Sequence, residues 1–355
     1  MKKIIIGKNL LGKINTLLDL SRFSKIAVLT DENIQISLIS QISQIKKSLN
    51  REIVIITIPA GENEKNIETV KNIWKKMFNF GLDRQSLLIN LGGGVICDVG
   101  GFAASTFMRG IEFINIPTTL LAQVDASVGG KTGVNFNEIK NAIGVFKNPI
   151  GVVIDVQTLK TLPKRELVAA FGEIIKHGVI SGREHFDLVT SKKPVEFDQK
   201  EIIKIIKQSI KIKLNIVQKD PKETTGQRKV LNFGHTIGHA IESLSWKTDK
   251  PLLHGEAVAI GMVIESQIAC LDEPILTSEV RIRMAEEIKK AIANAGLPTK
   301  AKDIKSEEIM KMILSDKKNS SGKINWSLPK RIGEVIVNVE VPNDLVIKAI
   351  KSIII

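Results

Sequence analysis

Tyrosine is absent from the 355 residues, so no phenol can serve as acid or base. Aromatic side chains reach only 4%, which leaves few platforms for stacking bases. Cysteine occurs twice, at Cys97 and Cys270, far apart and without a CxxC. That fits a reducing cytoplasm and gives no metal or redox motif. No apolar run approaches the roughly 18 residues of a membrane span. The start, MKKIIIGKNLLGKI, holds no adequate h-region, so no signal peptide is expected. Acidic residues are in deficit, 38 against 51 basic ones, for a formal net charge of +13. A positive field draws in anionic small molecules. The lysines are spread along the chain, so nucleic acid is not the expected partner.

What is present suits a globular protein: 43% hydrophobic and 25% charged residues. At 355 residues, two domains are expected. Over the first 160 residues, short β-branched runs alternate with amphipathic segments. KIAVLT (25–30), EIVIITI (52–58), SLLINLG (86–92), FINI (113–116) and VVIDV (152–156) read as strands, and 64–79 as a helix. This alternation predicts an α/β, Rossmann-like domain over 1–160, with a parallel sheet and ligands at the carboxyl ends of its strands. After Thr161-Leu162-Pro163 helical periodicity takes over, at 164–180, 198–218, 228–246, 254–270, 277–295 and 305–314. A strand pair at 324–329 and 334–339 and a last helix at 342–352 complete a mainly α-helical domain over 161–355.

Histidine is scarce, at 177, 185, 235, 239 and 254, yet three of the five fall within RKVLNFGHTIGHA (228–240) and PLLHGEAVAIG (251–261). On a helix His235 and His239 share a face. A catalytic zinc takes three protein ligands and keeps one position open. FGEIIKHG (171–178) places Glu173, Lys176 and His177 on one otherwise apolar helix face, where charged groups do not go unpaired. Glu173 with His235 and His254 makes a zinc set, and His177 and His239 compete as ligands. A glycine loop, SLLINLGGGVICDVGG, leads from a strand into a helix expected to begin near Asp98. Its free amides suit a pyrophosphate. A second glycine-rich segment, VDASVGGKTGVN (124–135), is followed by IKNAIGVFKNP (139–149), and together they place Lys131, Lys140 and Asn141 near turns. Lysine there acts as a point charge for an anion.

These segments together resemble the 3-dehydroquinate synthase family of sugar phosphate cyclases. The likeness runs from TDENI (30–34) and PAGENEK (59–65) through GGGVICDVGGFAASTFMRG (92–110) and IPTTLLAQVDASVGGKTGVNF (116–136). It continues in GEIIKHG (172–178), LNFGHTIGHAIE (231–242), LLHGEAVAIGM (252–262) and SDKKNSSGK (315–323). The resemblance implies a cytoplasmic homodimer with NAD and a zinc or cobalt ion as cofactors. Glu173, His235 and His254 would hold the metal. NAD would meet Asp31, Asn33, Glu62, Lys65, the loop Gly94, Val95, Ile96, Cys97 and Asp98, then Thr118, Thr119 and Lys140, and Thr158, Leu159, Lys160 and Thr161. The catalytic set implied is Asp125, Lys131, Lys176, Asn232 and His239. Substrate binding would fall to Asn141, Lys213, Arg228, one of Lys317 and Lys318, and Arg109, which reaches the partner subunit's site in this family. Around TTGQ (224–227) the chain is one residue longer than the family pattern.

The family turns 3-deoxy-arabino-heptulosonate 7-phosphate into 3-dehydroquinate and phosphate, a step of the shikimate pathway to aromatic amino acids. NAD takes hydride from the C5 hydroxyl and later returns it, so there is no net redox. The C5 ketone acidifies the neighbouring C–H, phosphate leaves by β-elimination, and ring opening with aldol closure follows. The alternatives are another sugar phosphate cyclase, a metal-dependent polyol dehydrogenase, and a zinc- and NAD-binding protein without catalysis.

Overall fold

The computed structural model describes residues 3–137, 139–271, 278–315 and 324–354. It divides into two compact units, Met1–Pro163 and Lys164–Ile355.

The first unit is built on a six-stranded parallel sheet. Its strands are β1 (Ile4–Gly7), β2 (Ile26–Asp31), β3 (Val54–Ile58), β4 (Leu87–Gly92), β5 (Glu112–Pro117) and a late one, β8 (Gly151–Asp155). Their order is β1-β8-β5-β4-β2-β3. Winding runs outward from β2 to β3, then reverses to β4, β5 and β8. Ligands of such sheets bind beyond the carboxyl ends of the strands, where the order reverses. Every residue of β4 is buried, the mark of a parallel strand covered on both faces. Alternate residues point to opposite faces. Leu88, with Ala27 and Leu29, packs against α4 (Ile67–Asn79) and α5 (Gly94–Thr106) through Val70, Ile73, Val99 and Phe102. Leu87 and Ile89 pack the other way, on α1 (Ile14–Leu18) and α3 (Ile39–Leu49), through Ile14, Ile42 and Ile45. A short α2 (Glu32–Ser37) follows β2.

A hydrogen-bonded polar pair lies within the sheet. Asn90 and Asn115 are register partners on β4 and β5, and Asn90 Nδ2 donates to Asn115 Oδ1 at 2.9 Å. Asn115 in turn donates to the Ser127 carbonyl at 3.1 Å, tying the loop after β5 to the sheet. Gly100 lets α5 come down onto this pair, since a Cβ there would lie 2.0 Å from Asn90 Oδ1.

The alternation reading located β2, β3, β4, β5 and β8. It missed β1, and it read the glycine-rich stretch after 124 as turns. In the structure that stretch holds an antiparallel hairpin, β6 (Lys131–Phe136) with β7 (Ile139–Phe146). Its glycines serve close packing, because a Cβ on Gly133 or Gly144 would meet the facing strand's backbone. Those contacts would be 2.5 and 2.3 Å. The helix expected near Asp98 begins four residues earlier, at Gly94, so the glycine loop is shorter than it reads.

The second unit holds α6 (Lys164–Ala169), α7 (Phe171–Ser181), α8 (Arg183–Thr190), α9 (Gln199–Lys219), α10 (His235–Ser245), α11 (His254–Leu271), α12 (Ser278–Asn294), α13 (Ser306–Ser315) and α14 (Asn343–Lys351). An antiparallel pair, β9 (Trp326–Arg331) with β10 (Glu334–Val339), precedes α14. α11 is apolar on all sides and buried along most of its length, which makes it the central helix. Two expected helices are broken. The 164–180 segment is interrupted at Ala170. The 228–246 segment is a 3-10 turn over Gln227–Asn232, then Phe233 and the left-handed Gly234 at φ 80°, and only then α10.

His185 of α8 is buried between polar partners, Nδ1 facing Gln208 Oε1 and Nε2 facing Ser209 Oγ, each at 3.1 Å. Burial pushes its pKa below the ordinary histidine value. The unfolded chain therefore takes the proton first as pH falls. His185 thus contributes stability above about pH 6.5 that is lost as the pH drops through the folded value. Chemical denaturation from pH 8 to 5 is expected to show a falling unfolding free energy, by at most about 1.4 kcal/mol per pH unit from this group. His185→Gln should flatten that slope.

Candidate functional site

The carboxyl ends of the parallel strands collect the residues singled out in the first unit. Asp31 closes β2 and accepts the Ile34 amide at 3.0 Å, capping α2, where Asn33 is exposed. Beyond β3, Glu62 lies in a 3-10 turn and Lys65 is buried just after it. Beyond β4, Gly94, Val95, Ile96, Cys97 and Asp98 form the first turns of α5. The N-cap there is Gly93, without a side-chain cap, so the leading amides stay available to an anion. Beyond β5 come buried Thr118 and half-buried Thr119. Beyond β8, Thr158, Leu159, Lys160 and Thr161 make a 3-10 turn, with Thr158 Oγ1 facing Gln123 Nε2 at 3.1 Å.

Two polar links hold these loops in place. Lys65 Nζ lies 2.6 Å from Asp98 Oδ2, both largely buried. Asn135 of β6 donates through Nδ2 to Glu62 Oε1 at 3.0 Å and through its own amide to the Lys65 carbonyl at 2.8 Å. Its Oδ1 accepts the Asn141 amide at 2.8 Å across the hairpin, where Asn141 is left-handed at φ 53°. Asn135 was not singled out from the sequence. Nothing short of the hairpin pairing reveals it. Lys131 opens β6 at an exposed position, Lys140 lies on β7, and Asp125 sits in a π-helical turn over Ala122–Ala126. Burial raises the Cys97 thiol well above its ordinary value, so it stays protonated and unreactive. Arg109 lies in a turn with three successive positive φ values, at Met108, Arg109 and Gly110, and is exposed.

In the second unit α7, α10 and α11 bring Glu173 and three histidines together. Glu173 is fully buried. Its Oε1 lies 3.1 Å from His235 Nε2 and 3.3 Å from His254 Nε2. The rings of His235, His239 and His254 have centroids 5.0 to 5.8 Å apart. The nearest ligand atoms of all three lie within 4.8 Å of one another. Lys176, one turn after Glu173, sits 2.5 Å from Glu173 Oε2 and donates to the Leu231 carbonyl at 2.8 Å. Asn232 ends the 3-10 turn that leads to α10.

The other ring nitrogens fix the tautomers. His235 Nδ1 faces the Phe233 carbonyl at 3.2 Å, and His254 Nδ1 faces Glu242 Oε2 at 3.1 Å. Both partners are acceptors, so Nδ1 carries the proton and each Nε2 turns a lone pair toward Glu173. Neither Glu173 oxygen receives a hydrogen bond of good geometry among the described residues. A carboxylate oxygen and two imidazole lone pairs facing one point are satisfied by a cation. This donor set suits zinc or cobalt. Without a cation the electrostatics hold Glu173 ionised and favour a proton on His254, which a metal would have to displace in order to bind. Burial raises Glu173, but the Lys176 ammonium and His235 outweigh it and hold the carboxyl well below its ordinary value. Burial and the Lys176 charge lower His235. Burial also pulls His254 down, yet Glu173 and Glu242 prevail and bring it to about 9.

Arg228 is buried at 3% exposure, and its loop is organised by Asp220. Asp220 accepts the amides of Thr224, Thr225 and Arg228 at 2.8, 3.2 and 3.3 Å. The longer loop passes through Glu223 at φ 56°. Lys213 is buried on α9. Lys317 and Lys318 lie outside the described residues.

Profiles for the 3-dehydroquinate synthase N-terminal and C-terminal regions match residues 55–169 and 170–319. Similar proteins include a 3-dehydroquinate synthase of Prochlorococcus marinus (strain MIT 9515), 43% identical over 92% of this chain and 89% of that one. Another, from Acetivibrio thermocellus (strain ATCC 27405), is 42% identical over 93% of this chain and 90% of its own. Among solved structures, 2-epi-5-epi-valiolone synthase from Streptomyces hygroscopicus subsp. jinggangensis 5008, with NAD+ and Zn2+ bound, has a TM-score of 0.87 at 25% identity, covering 99% of this chain and 96% of that one. A 2-deoxy-scyllo-inosose synthase complexed with carbaglucose-6-phosphate, NAD+ and Co2+ has a TM-score of 0.86 at 23% identity, covering 98% and 96%.

Glu242→Ala frees the His254 ring to turn. It is expected to weaken zinc binding by stripped protein about 10–100-fold, read by competition with a chromophoric chelator. Unchanged affinity would remove Glu242 from the site.

Proposed function

This chain belongs to the 3-dehydroquinate synthase family, and we propose that it converts 3-deoxy-arabino-heptulosonate 7-phosphate into 3-dehydroquinate and phosphate. The observation that carries this reading is the convergence of Glu173 Oε1 with the Nε2 atoms of His235 and His254, in a chain whose curated relatives at 42 and 43% identity are 3-dehydroquinate synthases. Likeness to the other cyclases is lower, at 23 and 25%. Glycerol dehydrogenase from Schizosaccharomyces pombe, at 16% identity and a TM-score of 0.65, shares the fold alone. Another cyclase activity or a polyol dehydrogenase is therefore not favoured.

NAD and a zinc or cobalt ion, when bound, supply a reversible hydride acceptor and a Lewis acid for the substrate's hydroxyl and carbonyl oxygens. Glu173, His235 and His254 would hold the metal. The anion-ready start of α5, Asp31, Asn33, Glu62, Lys65, Thr118, Thr119, Lys140 and the turn Thr158–Thr161 would hold NAD. Lys176 keeps Glu173 ionised and so able to ligate. His239, in the same imidazole cluster, takes the proton from the reacting hydroxyl and returns it. By family likeness, Arg228, Lys213 and Lys131 would oppose the substrate's carboxylate and phosphate charges. Asn141, Asn232 and Asp125 supply neutral and anionic hydrogen-bond partners for its hydroxyls. One of Lys317 and Lys318 is assigned to the substrate by family likeness.

The reading includes a cytoplasmic homodimer and the lyase class. No helix among the described residues is long and apolar enough to cross a membrane. The hairpin exposes Phe136, Ile139, Ile143 and Phe146, the last at 54%. Lys147, next in sequence, lies beside Gly110 of the left-handed turn that presents Arg109. An apolar patch with an adjoining exposed arginine fits a second copy of this chain.

Zinc-loaded protein with trace NAD is expected to release many phosphates per NAD from 3-deoxy-arabino-heptulosonate 7-phosphate, with no accumulating NADH absorbance. No phosphate release, with NADH rising on addition of a polyol, would move the assignment to the dehydrogenases. Phe146→Asp should shift sedimentation from dimer toward monomer. A wild-type monomer would sink the homodimer.

A further inference from the structure

α10 carries His235 as its first residue and His239 one turn later, yet nothing of its own caps it. Its N-cap is Gly234, without a side chain, and its first turn contains no acidic residue. The leading amides of a buried helix must find acceptors elsewhere. Here the acceptor comes from another helix. Glu265, on α11, is fully buried. Its Oε2 accepts the Gly234 amide at 2.6 Å and its Oε1 accepts the Ile237 amide at 3.1 Å. The two helices are in direct contact at this level. A Cβ on Gly261, one turn before Glu265, would lie 2.0 Å from the Gly234 carbonyl, and one on Gly234 would lie 2.6 Å from Met262 Cγ.

This geometry has a consequence for the imidazoles. α11 begins with His254 and α10 begins with His235, and one carboxylate clamps the two helices together. We propose that Glu265 is a positioning residue, a cap supplied across the helix packing. It fixes the rotation and height of α10 so that His235 and His239 meet His254 and Glu173. The proposal rests on the metal reading above. Each Glu265 oxygen accepts a separate N–H, so the site is specific for a carboxylate. Glutamine would offer one acceptor and turn an NH2 group toward an amide donor. The clamp carries a desolvation cost. Burial pushes the carboxyl up to about 8, against the pull of the Ile237, Gly234 and Thr236 amides and the Lys176 charge. That cost offsets part of what the two hydrogen bonds contribute, and the role proposed for the group is alignment.

The test compares wild type, Glu265→Gln, Glu265→Ala and a packing control, Ile268→Ala, which removes a buried side chain of the same helix outside the site. Amide hydrogen exchange is measured on metal-free protein. Visible cobalt absorption and chelator competition follow on the same samples. In both Glu265 variants, exchange at residues 234–239 should rise about tenfold or more over the rest of the second unit. Cobalt affinity should fall about 10–100-fold, with an altered cobalt spectrum at saturation. Ile268→Ala should lose thermal stability while keeping the wild-type spectrum and affinity. Wild-type exchange at 234–239 in the Glu265 variants, or a wild-type cobalt spectrum and affinity, overturns the proposal. Wild-type protein that takes up no cobalt overturns the metal reading instead, and the exchange contrast then still decides whether Glu265 holds α10.

Discussion

Glu173 is a carboxylate with no exposure to water, on a helix whose remaining face is apolar. An unpaired charge in that position would cost several kcal/mol. The second unit is arranged to prevent this. Lys176 lies one turn away on the same helix, and the imidazoles of His235 and His254 come in from two others. α7, α10 and α11 therefore meet where they do because one charge must be answered. Close glycine contacts, such as Gly261 against Gly234, let the backbones approach far enough for those side chains to reach it. The same crowding leaves nitrogen and oxygen lone pairs facing one point, which is the electrostatic definition of a cation site.

The first unit solves a different problem. Apart from the Asn90–Asn115 pair, the polar groups described above lie at the carboxyl ends of largely apolar strands, where backbone amides and side chains can face an anionic ligand. The links Lys65–Asp98 and Glu62–Asn135 tie loops from different strands to each other and to the hairpin. A loop fixed at several points has less conformational entropy to lose when a ligand arrives.

Much of this was legible in the sequence. The five strands with β-branched runs announce themselves, because a strand buried on both faces needs continuous apolar residues. A cluster of Glu173 with histidines was legible too, through a charged residue on an apolar helix and the scarcity of histidine, but only family likeness chose His235 and His254 over His177 and His239. The hairpin β6–β7 was not, since glycines placed for strand-to-strand contact look the same in sequence as glycines placed for turns. The start of α10 was misjudged for a related reason. A helical pattern runs through 228–234, and the extended ψ of Phe233 with the left-handed Gly234 breaks it. Asn135, Glu242, Asp220 and Glu265 share a further difficulty. Each is an ordinary polar residue made important by a partner between 8 and 73 positions away, and a linear pattern holds no trace of that partner.

The amide pair at the centre of the sheet bears on how reliably this chain reaches its fold. Parallel strands joined through long crossovers form late, and neighbouring apolar strands of similar composition could pair one or two residues out of step. Leu, Ile and Val would tolerate such a shift. Asn90 and Asn115 would not, because a displaced pairing leaves two buried amides unmatched at about 1–3 kcal/mol each. Two asparagines thus act as a proofreading mark between β4 and β5. They penalise misaligned intermediates in the strands that carry the glycine loop and the Thr118–Thr119 turn.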